Sequence, residues 1–262
     1  MKDHPIGIFD SGVGGLSILA SVKSLLPKES FVYLADQANY PYGGRSVGEI
    51  EDLSSRVISF LLQKNVKLVI VACNTVSSNA IDYLRAKFNI PIIAVVPVVK
   101  TISQKSKTKK AAVLSTPATA KSKYLSDLIA KFSNGTNIYI ISDSKLEHLV
   151  EEGIITGPKV EEALKDSLNG LLDKKVDSIA LGCTHYPFLT PEIKKLVGSK
   201  IAIYDSGGAI ARRTEYVLVH EKLSSFKKDQ DYFYTTGDSN KFKKIAEKLV
   251  KFKLDNVESV QI

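Results

Sequence analysis

Two cysteines, Cys73 and Cys183, are the only thiols in the chain, and each stands in the same local setting. Both follow a short apolar run and precede small polar residues, in Val69-Ile70-Val71-Ala72-Cys73-Asn74-Thr75 and Ile179-Ala180-Leu181-Gly182-Cys183-Thr184-His185. Runs of this length read as buried strands, so each thiol falls at a strand's carboxyl end. Open parallel sheets bind ligands there, and the helices that follow aim N–H groups at them. A thiol in such surroundings has its pKa drawn from about 8.5 toward neutrality and becomes a usable base. A disulfide would need Cα atoms within about 7 Å and an oxidising compartment. A lone buried cysteine is usually inert filling, but two equivalent ones, each followed by polar residues, point to acid/base chemistry on opposite faces of one small molecule.

Other residues gather around this pair in the sequence. Asp10 closes an apolar run and is followed by Ser11-Gly12-Val13-Gly14-Gly15; it could steer the Cys73 proton or serve as a helix N-cap. The glycine spacing does not fit G-x-G-x-x-G and no acidic residue directly ends Phe31–Leu34, which argues against a dinucleotide site. His185 lies two residues past Cys183, and Glu151 falls near a helix end before Gly153, where it could assist the second thiol or simply be solvated. Tyr40-Pro41-Tyr42-Gly43-Gly44 reads as a surface turn or as a wall over a substrate. No lysine stands in a Schiff-base setting and no His/Cys/Asp cluster has metal spacing, so neither pyridoxal phosphate nor zinc is expected.

The elements that must position these groups alternate strand and helix. Strands are expected at Ile6–Phe9, Phe31–Leu34, Leu68–Ala72, Ile92–Val95, Ala111–Leu114, Ile138–Ile141, Ser178–Leu181 and Ile201–Tyr204. Amphipathic helices are expected at Glu49–Lys64, with Ile50, Leu53, Val57, Phe60 and Leu61 on one stripe, and at Lys159–Asp173, with Val160, Leu164, Leu168, Leu171 and Leu172. Strands apolar on both faces, each followed by a helix, give an α/β fold with mainly parallel sheets flanked by helices. Ile8-Phe9-Asp10-Ser11-Gly12 returns as Ile203-Tyr204-Asp205-Ser206-Gly207, and the strand-to-cysteine unit recurs, so two quasi-duplicated domains are expected. The first would be discontinuous, residues 1–96 and 206–262, the second would span 97–205, and the active site would lie in the cleft between them.

Composition is that of a globular protein, 44% hydrophobic and 24% charged. The net charge of +8 is concentrated in Lys105–Lys110 and Lys241–Lys244. Both runs read as solvated faces, and without a nucleic-acid motif no nucleic-acid partner is expected. Asp10 interrupts the start before a signal-peptide core develops, and Phe88–Val99 carries two prolines and is too short to span a bilayer. A cytoplasmic protein with reduced thiols and no membrane partner is the expectation.

Phe9-Asp10-Ser11-Gly12-Val13-Gly14-Gly15-Leu16-Ser17, Pro41-Tyr42-Gly43, Ala72-Cys73-Asn74-Thr75, Leu114-Ser115-Thr116-Pro117-Ala118-Thr119 and Gly182-Cys183-Thr184-His185-Tyr186-Pro187 together resemble the signature segments of bacterial glutamate racemase, in order and over nearly the whole chain. The resemblance implies a cofactor-independent racemase of the aspartate/glutamate racemase fold that acts on glutamate and supplies D-glutamate for peptidoglycan. It implies that Cys73 and Cys183 are the acid/base pair, that Asp10 supports the first and that His185 and Glu151 support the second. Substrate contacts would fall to Asp10, Ser11, Tyr42, Gly43, Asn74, Thr75, Thr184 and His185, with Thr116 a weaker addition; a homodimer is left open. One segment departs: where the family commonly has Cys-Pro and then apolar residues, this chain has Asp143-Ser144-Lys145-Leu146-Glu147-His148, which leaves either Glu151 or Glu152 as the partner of the second thiol. Racemisation of another acidic amino acid such as aspartate, or a Cys-His hydrolase built on Cys183 and His185 alone, are the competing chemistries.

Overall fold

The computed structural model describes residues 2–225, 227 and 229–262, with Leu172 described through its backbone alone. The chain divides into two compact units, Met1–Val95 with Gly207–Ile262, and Val96–Ser206. The first begins with β1 (Ile6–Asp10), α1 (Leu16–Leu25), β2 (Phe31–Ala35), α2 (Val47–Gln63), β3 (Leu68–Val71), α3 (Asn74–Asn79), α4 (Ile81–Lys87) and β4 (Ile92–Ala94). The second comprises α5 (Val99–Lys105), β5 (Lys110–Ser115), α6 (Pro117–Lys121), α7 (Lys123–Phe132), β6 (Asn137–Ser142), α8 (Lys145–Glu151), α9 (Pro158–Leu168), β7 (Ser178–Gly182), α10 (Thr190–Val197) and β8 (Ala202–Tyr204). The chain then returns to the first unit with α11 (Gly207–His220), β9 (Tyr232–Thr235), α12 (Ser239–Val250) and β10 (Val257–Ser259).

Every strand pairing is parallel, which confirms the α/β class. The first sheet runs β10-β9-β2-β1-β3-β4 and the second β6-β5-β7-β8. The first four strands of each unit therefore share one order, with β1, β2, β3 and β4 matching β5, β6, β7 and β8. On this matching Cys73 and Cys183 follow equivalent strands, β3 and β7. The repeated Asp-Ser-Gly does not mark the duplication: Asp10 ends β1, whose counterpart β5 ends at Ser115, whereas Asp205 follows β8 and is exposed. β8 lies at a sheet edge, which leaves the second Asp-Ser-Gly in an unlike environment.

Local sequence explains the elements around the sites. Ser46 accepts from the Glu49 backbone N–H and the Glu49 carboxylate accepts from Ser46 N, a capping box that starts α2. α2 then buries Ile50, Leu53, Val57, Ile58 and Leu61 against the first sheet, with Phe60 partly buried beside them. α9 ends at Leu168 rather than at Asp173, because Gly170 takes φ +70° and turns the chain out of the helix. Leu171 is still buried, while the Leu172 side chain lies outside the described residues. β9 and β10 escaped sequence reading: one is four residues between polar flanks and the other, Val257-Glu258-Ser259, has no apolar pattern. Their pairing extends the first sheet past β2.

Gly15, at the turn from β1 into α1, holds the first site together. A Cβ there would meet Asp10 Cβ at 2.8 Å, Tyr33 Oη at 2.9 Å and Ala72 Cβ at 3.0 Å. Gly15→Ala is expected to destabilise the fold by about 1–3 kcal/mol through overpacking. Gly48→Ala, at a helical position with open space around it, should instead stabilise by about 0.4–1 kcal/mol. Urea unfolding of the two variants beside the parent measures both, and equal midpoints for Gly15→Ala and the parent would contradict the close packing.

Candidate active site

In each sheet the chain steps from the first strand of the set to one side and then returns to the other, so β1/β3 and β5/β7 flank the reversal of strand order. The crevice of an open parallel sheet lies at that reversal, beyond the carboxyl ends. Asp10 and Cys73 stand at the ends of β1 and β3, and both are buried. The Asp10 carboxylate accepts from Ser11 N at 2.6 Å and from Ser11 Oγ at 3.1 Å, and Ser11 Oγ lies 3.8 Å from Cys73 Sγ. A hydroxyl thus links carboxylate and thiol. Asp10 is not the cap of α1, whose N-cap is Gly15, so the capping alternative falls away. Cys73 is the N-cap residue of α3, and the Asn74 and Thr75 that open this helix are buried. Neither amide atom of the Asn74 side chain has a hydrogen-bond partner. A buried amide left unmatched costs about 1–3 kcal/mol and marks a place where a polar ligand would be received.

Tyr42 is buried, and its hydroxyl donates to Asp36 Oδ2 at 2.5 Å. Asp36 also accepts from Thr236 Oγ1 at 2.7 Å and Asn39 Nδ2 at 3.0 Å, while its own N–H donates to the Asp10 carbonyl at 3.0 Å. Burial, then the Asp36 charge, raises the Tyr42 pKa far above the ordinary phenol value, with Cys73 and Asp10 adding to it. The phenol is a neutral strut rather than a surface flap, and Gly43 beside it is partly exposed. Asp36 was missed in the sequence, although an acidic residue immediately past a strand end is the signal that could have found it.

In the second unit the groups form a chain. Cys183 Sγ lies 3.5 Å from His185 Nδ1, and His185 Nε2 lies 2.7 Å from Glu151 Oε1 at the end of α8. Glu152 is exposed, so of the two candidates the structure brings Glu151 to His185. Burial pushes the Cys183 thiol up, against the lowering effect of His185. Burial opposes a charge on His185, but the neighbouring Cys183 and the Glu151 carboxylate outweigh it and hold the imidazole well above its ordinary value. Thr184 is buried beside the pair. Thr116 is buried too, but its hydroxyl caps α6 by accepting from Thr119 N. Gly182 is required next to it, since a Cβ would meet Ser115 Cβ at 3.1 Å and the Leu114 carbonyl at 3.2 Å.

The departing segment supplies a residue that sequence reading passed over. Glu147, on α8 one turn before Glu151, is buried, and one of its carboxylate oxygens lies with Cys183 Sγ and a His185 ring nitrogen in a group whose atoms are all within 4.8 Å of one another. The sequence spacing of these three residues gave no sign of this grouping, because Glu147 lies 36 residues before Cys183 and meets it only through the fold. The helical spacing of Glu147 and Glu151, one turn apart, was the available signal.

Comparison with known proteins places the chain in a family. The family model for Asp/Glu/Hydantoin racemase matches residues 14–214. The chain belongs to that family. The glutamate racemase of Herpetosiphon aurantiacus is 40% identical over 94% of this chain and 98% of its own length. Among solved structures, a glutamate racemase isoform of Bacillus anthracis superposes with a TM-score of 0.91 at 31% identity, covering 100% of this chain and 99% of that one. The glutamate racemase of Francisella tularensis, solved with D-glutamate, gives 0.87 at 31% identity over 100% and 98%. As a member of the Asp/Glu/Hydantoin racemase family the chain is an isomerase, an amino-acid racemase. No helix among the described residues is long and apolar enough to cross a membrane.

The raised His185 pKa has a sign that can be measured. The charged imidazole, held between Cys183 and Glu151, contributes stability fully present below the unfolded imidazole value of about 6.5 and lost as pH rises through the higher folded value. The urea midpoint of the parent should fall as pH is raised from about 6.5, and His185→Asn should flatten that fall. Parent and variant profiles of the same slope would contradict a raised His185 pKa.

Proposed function

We propose that this racemase interconverts L- and D-glutamate without a cofactor, using Cys73 and Cys183 as two bases on opposite faces of the α-carbon, in the cytoplasm, and so supplies D-glutamate for peptidoglycan. The observation that carries the reading is the equivalence of two buried free thiols after matching strands, each with its own proton partner. Inversion needs a thiolate to remove the α-proton on one face and a thiol to return a proton on the other, so the two must begin in opposite protonation states. The partners differ accordingly. Cys73 meets the Asp10 carboxylate through Ser11. Cys183 meets an imidazole whose pKa is held up by the sulfur itself and then by the Glu151 carboxylate, an environment unlike that of Cys73.

Without an imine the developing carbanion is stabilised by fixed donors and by excluded water. The unmatched Asn74 amide, the N–H groups that open α3, and Thr184 beside Cys183 are suited to hold the substrate carboxylates. Asp10, Ser11, Thr75, His185 and the Gly43 backbone complete the proposed contacts, and the Tyr42 phenol supports them through Asp36 rather than by its own hydroxyl. Thr116 contributes by capping α6 behind Cys183. The glutamate-bound relative supports glutamate over aspartate.

Replacing either Cys73 or Cys183 by Ser should abolish racemisation while glutamate still binds, because a hydroxyl ionises far less readily than a thiol. Circular dichroism of D-glutamate solutions follows the rate and calorimetry the binding; a single serine variant racemising at the parent rate would defeat the two-base scheme. Greater turnover of aspartate than of glutamate would reassign the substrate, and a trapped acyl-enzyme on Cys183 would reassign the reaction to hydrolysis. Asp10→Asn and His185→Asn are each expected to lower kcat by about 10²–10⁴-fold, the range of positioned acid/base groups, with smaller changes in KM. Glu151→Gln should fall between these and the parent, since it keeps a hydrogen bond to His185 but not the charge. In deuterated water, product from the first turnovers should carry solvent deuterium at the α-carbon while recovered substrate carries little; early product that mainly keeps the substrate's own hydrogen would indicate one base.

A further inference from the structure

The geometry points to a thiophilic divalent-cation site in the second unit, formed by Cys183, His185 and Glu147, at which zinc-like ions bind and silence the second thiol. The three donor atoms come from two elements, the end of β7 and one turn of α8, and all lie within 4.8 Å of one another. Cys183 Sγ and His185 Nδ1 are 3.5 Å apart. A tetrahedral zinc ion with bonds of about 2.3 Å to sulfur and about 2.0–2.1 Å to imidazole nitrogen holds that pair about 3.5 Å apart. Thiolate, imidazole and carboxylate are also the donor set that such ions prefer over calcium or magnesium.

The second observation is the orientation of the imidazole. Its Nε2 is engaged by Glu151 at 2.7 Å, which leaves Nδ1 facing the thiol. Metal-bound histidines are characteristically fixed in this way, with the remote nitrogen on a carboxylate that raises ligand basicity. Three protein donors leave one tetrahedral position open for water or for a substrate carboxylate. The balance is simple: one hydrated ion enters and sheds water ligands, the Cys183 thiol proton and any proton on His185 Nδ1 leave to solvent, and sulfur–metal, nitrogen–metal and Glu147 carboxylate–metal bonds form with no change of oxidation state. Glu147 gives the site its third donor, and it stands in the segment where this chain departs from the pattern of its family. Inhibition follows because a metal-bound sulfur can neither take nor return a proton; that consequence rests on the proposed racemisation, whereas binding does not.

The test uses cobalt(II) as a spectroscopic probe and zinc as inhibitor, on chelator-treated full-length protein in a non-coordinating buffer. One cobalt per chain should produce a thiolate-to-metal charge-transfer band that zinc abolishes. The band should persist in Cys73→Ser and vanish in Cys183→Ser. Glu147→Val and Glu147→Gln should each weaken metal binding by at least about tenfold, and Glu151→Gln by about 10–100-fold as an outer partner. Glu147→Val should still racemise glutamate, with its rate relative to its own metal-free value made insensitive to zinc that stops the parent. No thiolate band in the parent, a band that follows Cys73 instead, or unchanged affinity in both Glu147 variants would overturn the site. Should the protein fail to racemise glutamate at all, the cobalt titration would still decide the metal question.

Discussion

The constraint on which this protein depends is the reversal of strand order in each parallel sheet. Two neighbouring strands whose chains leave in opposite directions open a crevice at their carboxyl ends, and the side chains placed there in this protein are buried. Asp10 with Cys73, and Ser115 with Cys183, are set by that single feature of backbone topology. The packing beneath is tight enough to forbid even a methyl group at Gly15 and to strain one at Gly182, so the reactive groups rest on a floor with little freedom to shift. Precision of this kind matters for proton transfer to carbon, where a displaced base loses rate quickly.

The two thiols share a topology but not an electrostatic environment. On one side a carboxylate reaches sulfur through a serine hydroxyl; on the other, an imidazole lies between sulfur and carboxylate. A symmetrical pair would give both thiols the same resting state, and a two-base exchange needs them to differ. The repeated strand order thus gives the two thiols matching positions, while a few side chains give them different surroundings. Glu147 shows the same divergence continuing, because a carboxylate now occupies a buried place on α8 where the departing segment altered the pattern.

Much of this was legible in the chain itself. The first eight strands announced themselves because each centres on a short apolar run, fully buried in β1, β2, β3, β4 and β7 and more exposed in the edge strands β6 and β8, and the cysteines could be placed at strand ends from their immediate neighbours alone. What escaped depends on partners distant in sequence. β9 is recognisable as a strand only through its pairing with β2, some two hundred residues earlier. Tyr42 reads as part of a surface turn or a wall over a substrate until its hydroxyl is seen to donate to Asp36, which Thr236 in turn holds from the far end of the chain. Glu147 was passed over because a charged residue in a polar stretch gives no sign that it is buried beside the thiol.

The placement of β9 and β10 also bears on how the protein is made. The first sheet has its centre in strands synthesised first, yet β2 gains its outer neighbour only once residues 232–235 have emerged. The second sheet lies wholly within the intervening stretch, so on the ribosome it can close while the first still exposes an open hydrogen-bonding edge along Val32–Ala35. An unpaired edge is an invitation to strand addition by other chains. Nascent protein stalled between residues 206 and 232 would therefore be its most aggregation-prone form, and demand for chaperone binding should concentrate in that interval of translation.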